Sequence, residues 1–311
     1  MQLKTRFWPF IAIAAITFTA CKKSATISNT TTDAANTIEL SIHSGDQLQV
    51  SNETDAVAND ANAAIESNAT FSGRMEGVTS LICDAAITAD DAQKKITITY
   101  NGNNCPGTRT RTGVVTIALT SGNYWRSEGA VLTITYQNLK ITKLADNKSI
   151  TINGSQTITN VSGGRLIDLP TRGSITHTIN SSNMSITFDD GTQRTWQIAK
   201  KRVFTYSNGI VITTTGTHTE GSSNNISEWG TNRFGHSFTT SITQPLVVRQ
   251  DCNLRLTSGQ VQHSTSALTA TATFGLDASG NATSCPGTGN YFFKLVWTGA
   301  NGKELKLILP Y

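Results

Sequence analysis

Few residue types in this chain could do chemistry: five cysteines, five histidines, scattered carboxylates and a handful of aromatics. Two of the cysteines recur in one tetrapeptide, Cys105-Pro106-Gly107-Thr108 and Cys285-Pro286-Gly287-Thr288, and each copy has an upstream cysteine, Cys83 and Cys252. Thiolates can bind zinc or run redox exchange. No Cys-x-x-Cys occurs, however, and no histidine lies near either pair in sequence, so neither chemistry is expected there. The histidines are His43, His177, His218, His236 and His263, and none falls in a His-Glu-x-x-His pattern. His218 and Glu220 stand two apart, so on a strand they share one side and could begin a metal site or an acid/base pair; an exposed polar strand face gives the same spacing. Asp189-Asp190 looks like a carboxylate pair, but adjacent strand residues point opposite ways and Gly191 follows, so a turn is expected. A nucleophile elbow, a phosphate loop and a dinucleotide fingerprint are all missing. The expectation is no catalytic residue, no metal and no cofactor.

The aromatics carry a different possibility. Tyr124-Trp125 follows a turn, Trp229 and Phe234 flank or enter the glycine-rich stretch 230–235, and Trp196 sits in an alternating run. Aromatics on loops serve as stacking platforms for sugar rings or partner surfaces, or else as lids over the open ends of a sheet. Tyr124, Trp125, Trp196 and Trp229 are the candidate stacking residues.

The N-terminus reads as an address. Met1 to Arg6 carries two positive charges, and Phe7 to Ala20 is an apolar run, shorter than the roughly 20 residues a bilayer span needs. That is the shape of a secretory signal over residues 1–20. Phe18-Thr19-Ala20-Cys21 resembles a bacterial lipobox, which implies cleavage before Cys21 and lipidation of that cysteine. Several acyl chains anchor stably where one binds marginally, so the membrane is an expected partner through Cys21. Residues 21–38 are rich in Ser, Thr, Ala and Asn without apolar period and read as a tether with a mean reach of about 20–25 Å. No acidic residue follows Cys21 closely, which favours the periplasmic face of the outer membrane over the cell surface.

These candidates need a scaffold, and the pattern downstream supplies one. The chain has 311 residues, 37% apolar and 15% charged, a net charge of +4 and no dense basic cluster, so nucleic acid is not an expected partner. Residues 39–311 read as an all-β region after one short helix, Glu53 to Glu66, with Val57, Ala61, Ala64 and Ile65 on one side and Ser51 or Asn52 as cap. From Leu81 onward the period is two, in short runs such as Ile96 to Tyr100, Val131 to Tyr136, Leu139 to Leu144, Ser174 to Ile179, Met184 to Phe188, Arg194 to Ile198 and Val203 to Tyr206. Asn208-Gly209 is a type I′ hairpin signal. The predicted fold is an antiparallel meander forming a large sheet, sandwich or open barrel. The repeated tetrapeptide suggests two related halves, 73–172 and 173–311, in one sheet or two. In an oxidising compartment the four remaining cysteines pair. Cys83–Cys105 and Cys252–Cys285 are preferred, because each pair brackets one strand hairpin and the arrangement repeats.

One resemblance adds to this. Gly230, Asn232-Arg233, Gly235, Phe238-Thr239, Pro245-Leu246-Val247, Cys252 and Ser258-Gly259, supported by Ile96 to Tyr100, Gly102 to Gly107 and Arg109 to Gly113, resemble a family of exported bacterial lipoproteins of unknown function. The resemblance implies a β-rich lipoprotein and brings no catalytic residue with it. Three functions are therefore carried forward: a non-enzymatic binding or structural protein of the envelope, with a glycan or an envelope protein as partner; a glycan-binding module; and a hydrolase built on His218 and Glu220.

Overall fold

The computed structural model describes residues 82–252, 254–265, 269–283, 285, 291–298 and 304–310, together with 39, 42–43, 45–47, 49–50, 53–54, 56–58, 60–61, 63–65, 68 and 71. The expected signal segment, Cys21 and the tether lie outside the described residues, as do the capping candidates Ser51 and Asn52.

Among the described residues the alternating runs assemble into one antiparallel sheet of 15 strands. Its first five strands are β1 (Ala85–Asp90), β2 (Lys95–Asn103), β3 (Arg109–Ser121), β4 (Ala130–Lys143) and β5 (Ser149–Asn160). A short helix, Leu169–Arg172, precedes β6 (Ser174–Phe188), β7 (Gln193–Tyr206), β8 (Ile210–Gly216), β9 (His218–Glu220) and β10 (Ser223–Thr231). The last are β11 (Ser237–Arg249), β12 (Arg255–Thr265), β13 (Thr269–Leu276), β14 (Phe292–Thr298) and β15 (Glu304–Pro310). Spatial order follows the chain except at one fork, where β7 and β11 each pair with both β8 and β10, and β9 hangs on β10. Residue 172, the boundary between the two suggested halves, falls between β5 and β6, which pair with each other, so a single sheet runs through it.

The strands are longer than the sequence pattern suggests. The runs Ser174 to Ile179 and Met184 to Phe188 are one strand, β6, and Val131 to Lys143 is likewise continuous within β4. The interruptions are bulges: β6 slips against β7 between Ser181 and Met184, and β4 against β5 between Tyr136 and Leu139, where Asn138 takes a positive φ of 49°. A bulge inserts residues without ending a strand and sharpens its twist. Asn208 and Gly209 both have positive φ, as the hairpin signal requires. Asp189-Asp190-Gly191 is the β6–β7 turn, with the Asp190 carboxylate accepting from the Thr192 amide at 2.9 Å.

Inward-facing residues of β2 to β7 and β11, among them Ile98, Ile117, Ile134, Ile152, Ile186, Trp196 and Phe238, form the main core with the helical residues Val50, Val57, Ala61, Ala64 and Ile65. The described positions between 39 and 65 are helical, as is 71, so helical structure begins well ahead of the expected Glu53. Four acidic residues on it stand seven apart: Glu39, Asp46, Glu53 and Asp60. Seven residues fall only about 20° short of two full turns, so the four share a stripe. The sheet answers each one. Asp60 meets Arg111 at 2.6 Å and the Tyr100 hydroxyl at 2.9 Å; Glu53 pairs with Arg109, Asp46 with Arg233 at 2.6 Å, and Glu39 with His236 at 2.7 Å. The segment therefore crosses the strands, from β12 and β11 beside His43 to β2 beside Asp60. The step from His43 to Asp60, helical at every described position, corresponds to about 26 Å at helical rise, whereas the eight strand spacings from β2 to β12 would cover about 38 Å if flat. The sheet must therefore curve around the helix.

Both expected disulfides are present, with Cα–Cα distances of 5.2 Å for Cys83–Cys105 and 5.9 Å for Cys252–Cys285. The first closes the β1–β2 hairpin and the second the β12–β13 hairpin. The matching corners therefore sit near opposite ends of the sheet.

Candidate ligand-binding groove

The fork in the sheet and the β6 bulge lie side by side, and an open-sided groove of about 460 Å³ forms between them. In β6, Ile179 and Met184 both face the core, so the four residues between them must take up the bulge. Asn180, Ser182 and Asn183 are thereby turned out to solvent. The bulge needs a residue without a side chain beside it. At Gly154 of β5, with φ of 114°, a Cβ would lie 2.8 Å from the Met184 Cα and against the Asn183 carbonyl. The Asn183 carboxamide oxygen accepts from both the amide and the hydroxyl of Ser155, at 3.1 and 3.3 Å, and so fixes the local shape. On the other wall, β7 changes partner: Gln197 and Ile198 pair with β10, while Lys200 onward pairs with β8. The chain turns there from β8 into β9, where Gly216 packs against the backbone of Asn225 and leaves no space for a Cβ. That close approach brings the His218 and Trp229 rings together, stacked at 4.1 Å and 14°.

Among the described residues the groove lining is Ser155, Gln156, Thr157, Asn180, Ser181, Ser182, Asn183, Gln197, Ile198, Ala199, Thr217, His218 and Trp229, with no Asp, Glu, Lys or Arg. Ser181 donates to the Ser155 carbonyl at 3.0 Å, and Gln156 donates to the Tyr136 hydroxyl at 2.7 Å. By contrast, the side chains of Asn180, Ser182, Gln197 and Thr217 make no hydrogen bond to protein among the described residues. Their donors and acceptors face water or a ligand.

Of the stacking candidates, Trp229 lines this groove. Trp196 does not: it is 1% exposed, packed under the sheet, and its indole N–H donates to the Glu228 carboxylate at 3.1 Å. Trp125 is 4% exposed in the main core, with its ring 5.0 Å from that of His177. Neither presents a free face, because their positions in the alternation, or in the loop that covers the core, turn them inward. Tyr124 is 40% exposed in the β3–β4 connection, with the Arg126 guanidinium 5.2 Å over its ring, and it does not line the groove. His218 is in the groove; Glu220 is exposed beyond it, and no hydrogen bond joins the two among the described residues. Sequence reasoning missed Asn180, Ser182, Asn183, Gln197 and Thr217. The polar run 180–183 between two apolar runs was the available signal, and it reads equally well as a loop.

A second polar cluster is sealed inside. The His43 and His263 rings stack at 3.9 Å, Thr240 meets the His263 Nδ1 at 3.0 Å, and the Arg194 guanidinium lies 4.3 Å over the Phe238 ring. Arg194 bonds Gln47 and stands 4.0 Å from Glu228, which also holds Lys200. Burial, reinforced by Arg194, pushes the His263 pKa down to about 3, and burial with nearby His263 and cations pushes His43 down as well. A cavity of about 40 Å³ adjoins the histidines, lined otherwise mostly by apolar side chains of β12 to β14. This cluster is a packed junction between helix and sheet. Asp251 lies close to Cys252 and Cys285, but those two sulfurs are joined and offer no thiolate to a metal.

Comparison with known protein families, with curated proteins and with solved structures finds no match to this chain.

Proposed function

We propose that this is an exported, lipid-anchored protein of the bacterial outer membrane, on its periplasmic face, that acts by binding rather than by catalysis. The observation that carries the binding reading is the groove itself. It combines an aromatic wall with unpaired neutral donors and acceptors, and among the described residues no carboxylate, nucleophile–base pair or oxyanion cradle lines it. Small-molecule sites typically have volumes of about 300–1,000 Å³ and a few placed polar groups, and this groove is of that size. The anchoring reading rests on Phe18-Thr19-Ala20-Cys21 and the charged, then apolar, segment before it. Two disulfides suit an oxidising compartment, and the resemblance to exported lipoproteins points the same way.

Anchoring is tested by expressing the full chain with and without globomycin, alongside Cys21→Ala. The expected result is a mature form in the membrane fraction that is lost, or retained as precursor, under either change; an unaltered mature form would sink the anchor. Binding is tested by labelling the protein with 5-fluorotryptophan, which gives a resonance for each tryptophan that remains once the signal segment carrying Trp8 is removed, and assigning one through Trp229→Phe. A chemically mixed ligand panel should contain members that move the Trp229 resonance saturably. If none does, the groove is not a binding site.

A further inference from the structure

We infer that the groove at Trp229 takes an uncharged carbohydrate, an oligosaccharide of neutral sugars laid along the β6 bulge. This rests on the reading of the groove as a binding site and adds the ligand's class. The first argument is charge. The chain has 25 Lys and Arg and 21 Asp and Glu, and Lys200, Lys201 and Glu220 lie on strands that form the groove, yet among the described residues no ionised side chain of these types reaches its lining. A phosphate, a uronate or an ammonium group would find no counter-charge there and would forfeit the charge-assisted bonds that normally secure such groups. His218 is the one titratable lining group among the described residues, and its ring lies flat against Trp229.

The second argument is the pattern of donors and acceptors. Asn180 and Gln197 each present an NH₂ and a C=O, and Ser182 and Thr217 each present a hydroxyl. All four are unpaired within the protein among the described residues. A sugar displays adjacent hydroxyls that both donate and accept, so one carboxamide can serve two neighbouring hydroxyls at once. An apolar ligand would leave these groups facing nothing. The third argument is the wall. Trp229 is backed by His218 at 4.1 Å, which gives a rigid flat surface beside the polar rim, and the C–H face of a pyranose matches that surface. A peptide strand is disfavoured by topology, because β5, β6, β7 and β10 all have partners on both sides, and β9, paired with β10 alone among the described residues, offers an edge only three residues long. The Ser155–Asn183 bonds hold the bulge in place before any ligand arrives.

The test uses the fluorotryptophan-labelled full chain with maltohexaose, cellohexaose, xylohexaose and chitohexaose as neutral probes, trigalacturonate as the anionic probe and hexa-alanine as the peptide probe. The expected result is a saturable shift of the Trp229 resonance by at least one neutral oligosaccharide. Asn180→Ala and Gln197→Ala should each weaken that binding about tenfold. Tyr124→Ala should bind as the parent does, and melting temperatures should confirm that the groove variants stay folded. A Trp229 shift given by trigalacturonate or hexa-alanine alone overturns the carbohydrate assignment and leaves the binding site standing. No Trp229 shift with any probe overturns the carbohydrate assignment too, and the broader ligand panel then decides the fate of the groove. Neutral binding untouched by both amide substitutions overturns the assignment to this groove.

Discussion

His263 and His177 show what a single buried side chain does to the whole. Each is closed off from water, His263 beside Arg194 and His177 beside Arg202, and burial first, then the neighbouring cation, pushes each pKa down to about 3. In the unfolded chain a histidine titrates near 6.5. Above that pH both states are neutral and the residues cost nothing. As pH falls from 6.5 towards 3, the unfolded chain takes up protons that the folded protein refuses, so stability drops across that window. Between pH 6.5 and 5 each histidine should cost up to about 2 kcal/mol. Urea midpoints of the parent should therefore fall between pH 7 and pH 5, and His263→Gln, which keeps a partner for Thr240, should fall by visibly less. Parallel pH profiles for the two proteins would show that His263 is not held neutral. The histidines were visible in the sequence, but their burial was not. Nothing local to His263 announces that His43, on the helical segment, will stack upon it.

The helical segment is the element in which sequence and structure differ most usefully. Val57, Ala61, Ala64 and Ile65 were legible as one face, because apolar spacing is a local signal, and all four are buried. The acidic stripe Glu39, Asp46, Glu53 and Asp60 was present in the same letters but carried no meaning without its partners. Those partners lie on β3 and in the β10–β11 turn, far along the chain, and only the curved sheet brings them to the stripe. The β6 bulge was hidden for a related reason. Ser181 to Asn183 look like a gap between strands, and only the partner strands show the ladder resuming at Met184. The helix–sheet charge pairing can be tested at one point. Asp60 accepts from Arg111 at 2.6 Å and from Tyr100 at 2.9 Å, while Arg111 keeps two bonds to the buried Asp84. Asp60→Asn should therefore cost about 1–3 kcal/mol, the range for a weakened buried hydrogen-bonding group. The measurement is chemical denaturation at neutral pH, where a loss near zero would mean that the stripe guides register without adding stability.

On the scale of the molecule, the twin Cys-Pro-Gly-Thr turns and the period of two made the antiparallel sheet and its two disulfides legible, because hairpins are local and each disulfide closes one. The wrapping of the sheet around the helix was not legible, since it depends on glycines and bulges whose effect accumulates over many strands. The two closed hairpins also sit in unlike surroundings, and this predicts unequal contributions from disulfides of similar span. With sequence separations of 22 and 33 residues, the chain-entropy model assigns roughly 3–4 kcal/mol to each. That figure assumes that the hairpin opens only when everything else does. Among the described residues β1 pairs with β2 alone, and Ala86 to Asp90 are exposed, so it can fray without global unfolding. β12 and β13, by contrast, each have a strand on both sides and contribute to a second core with Phe293, Leu295 and Trp297. Replacing Cys83 and Cys105 by Ser together should cost about 1 kcal/mol or less, with faster hydrogen exchange confined to β1. The same change at Cys252 and Cys285 should cost close to the full 3–4 kcal/mol. Urea denaturation with exchange mass spectrometry compares the two, and equal losses would mean that β1 unfolds only with the rest of the sheet.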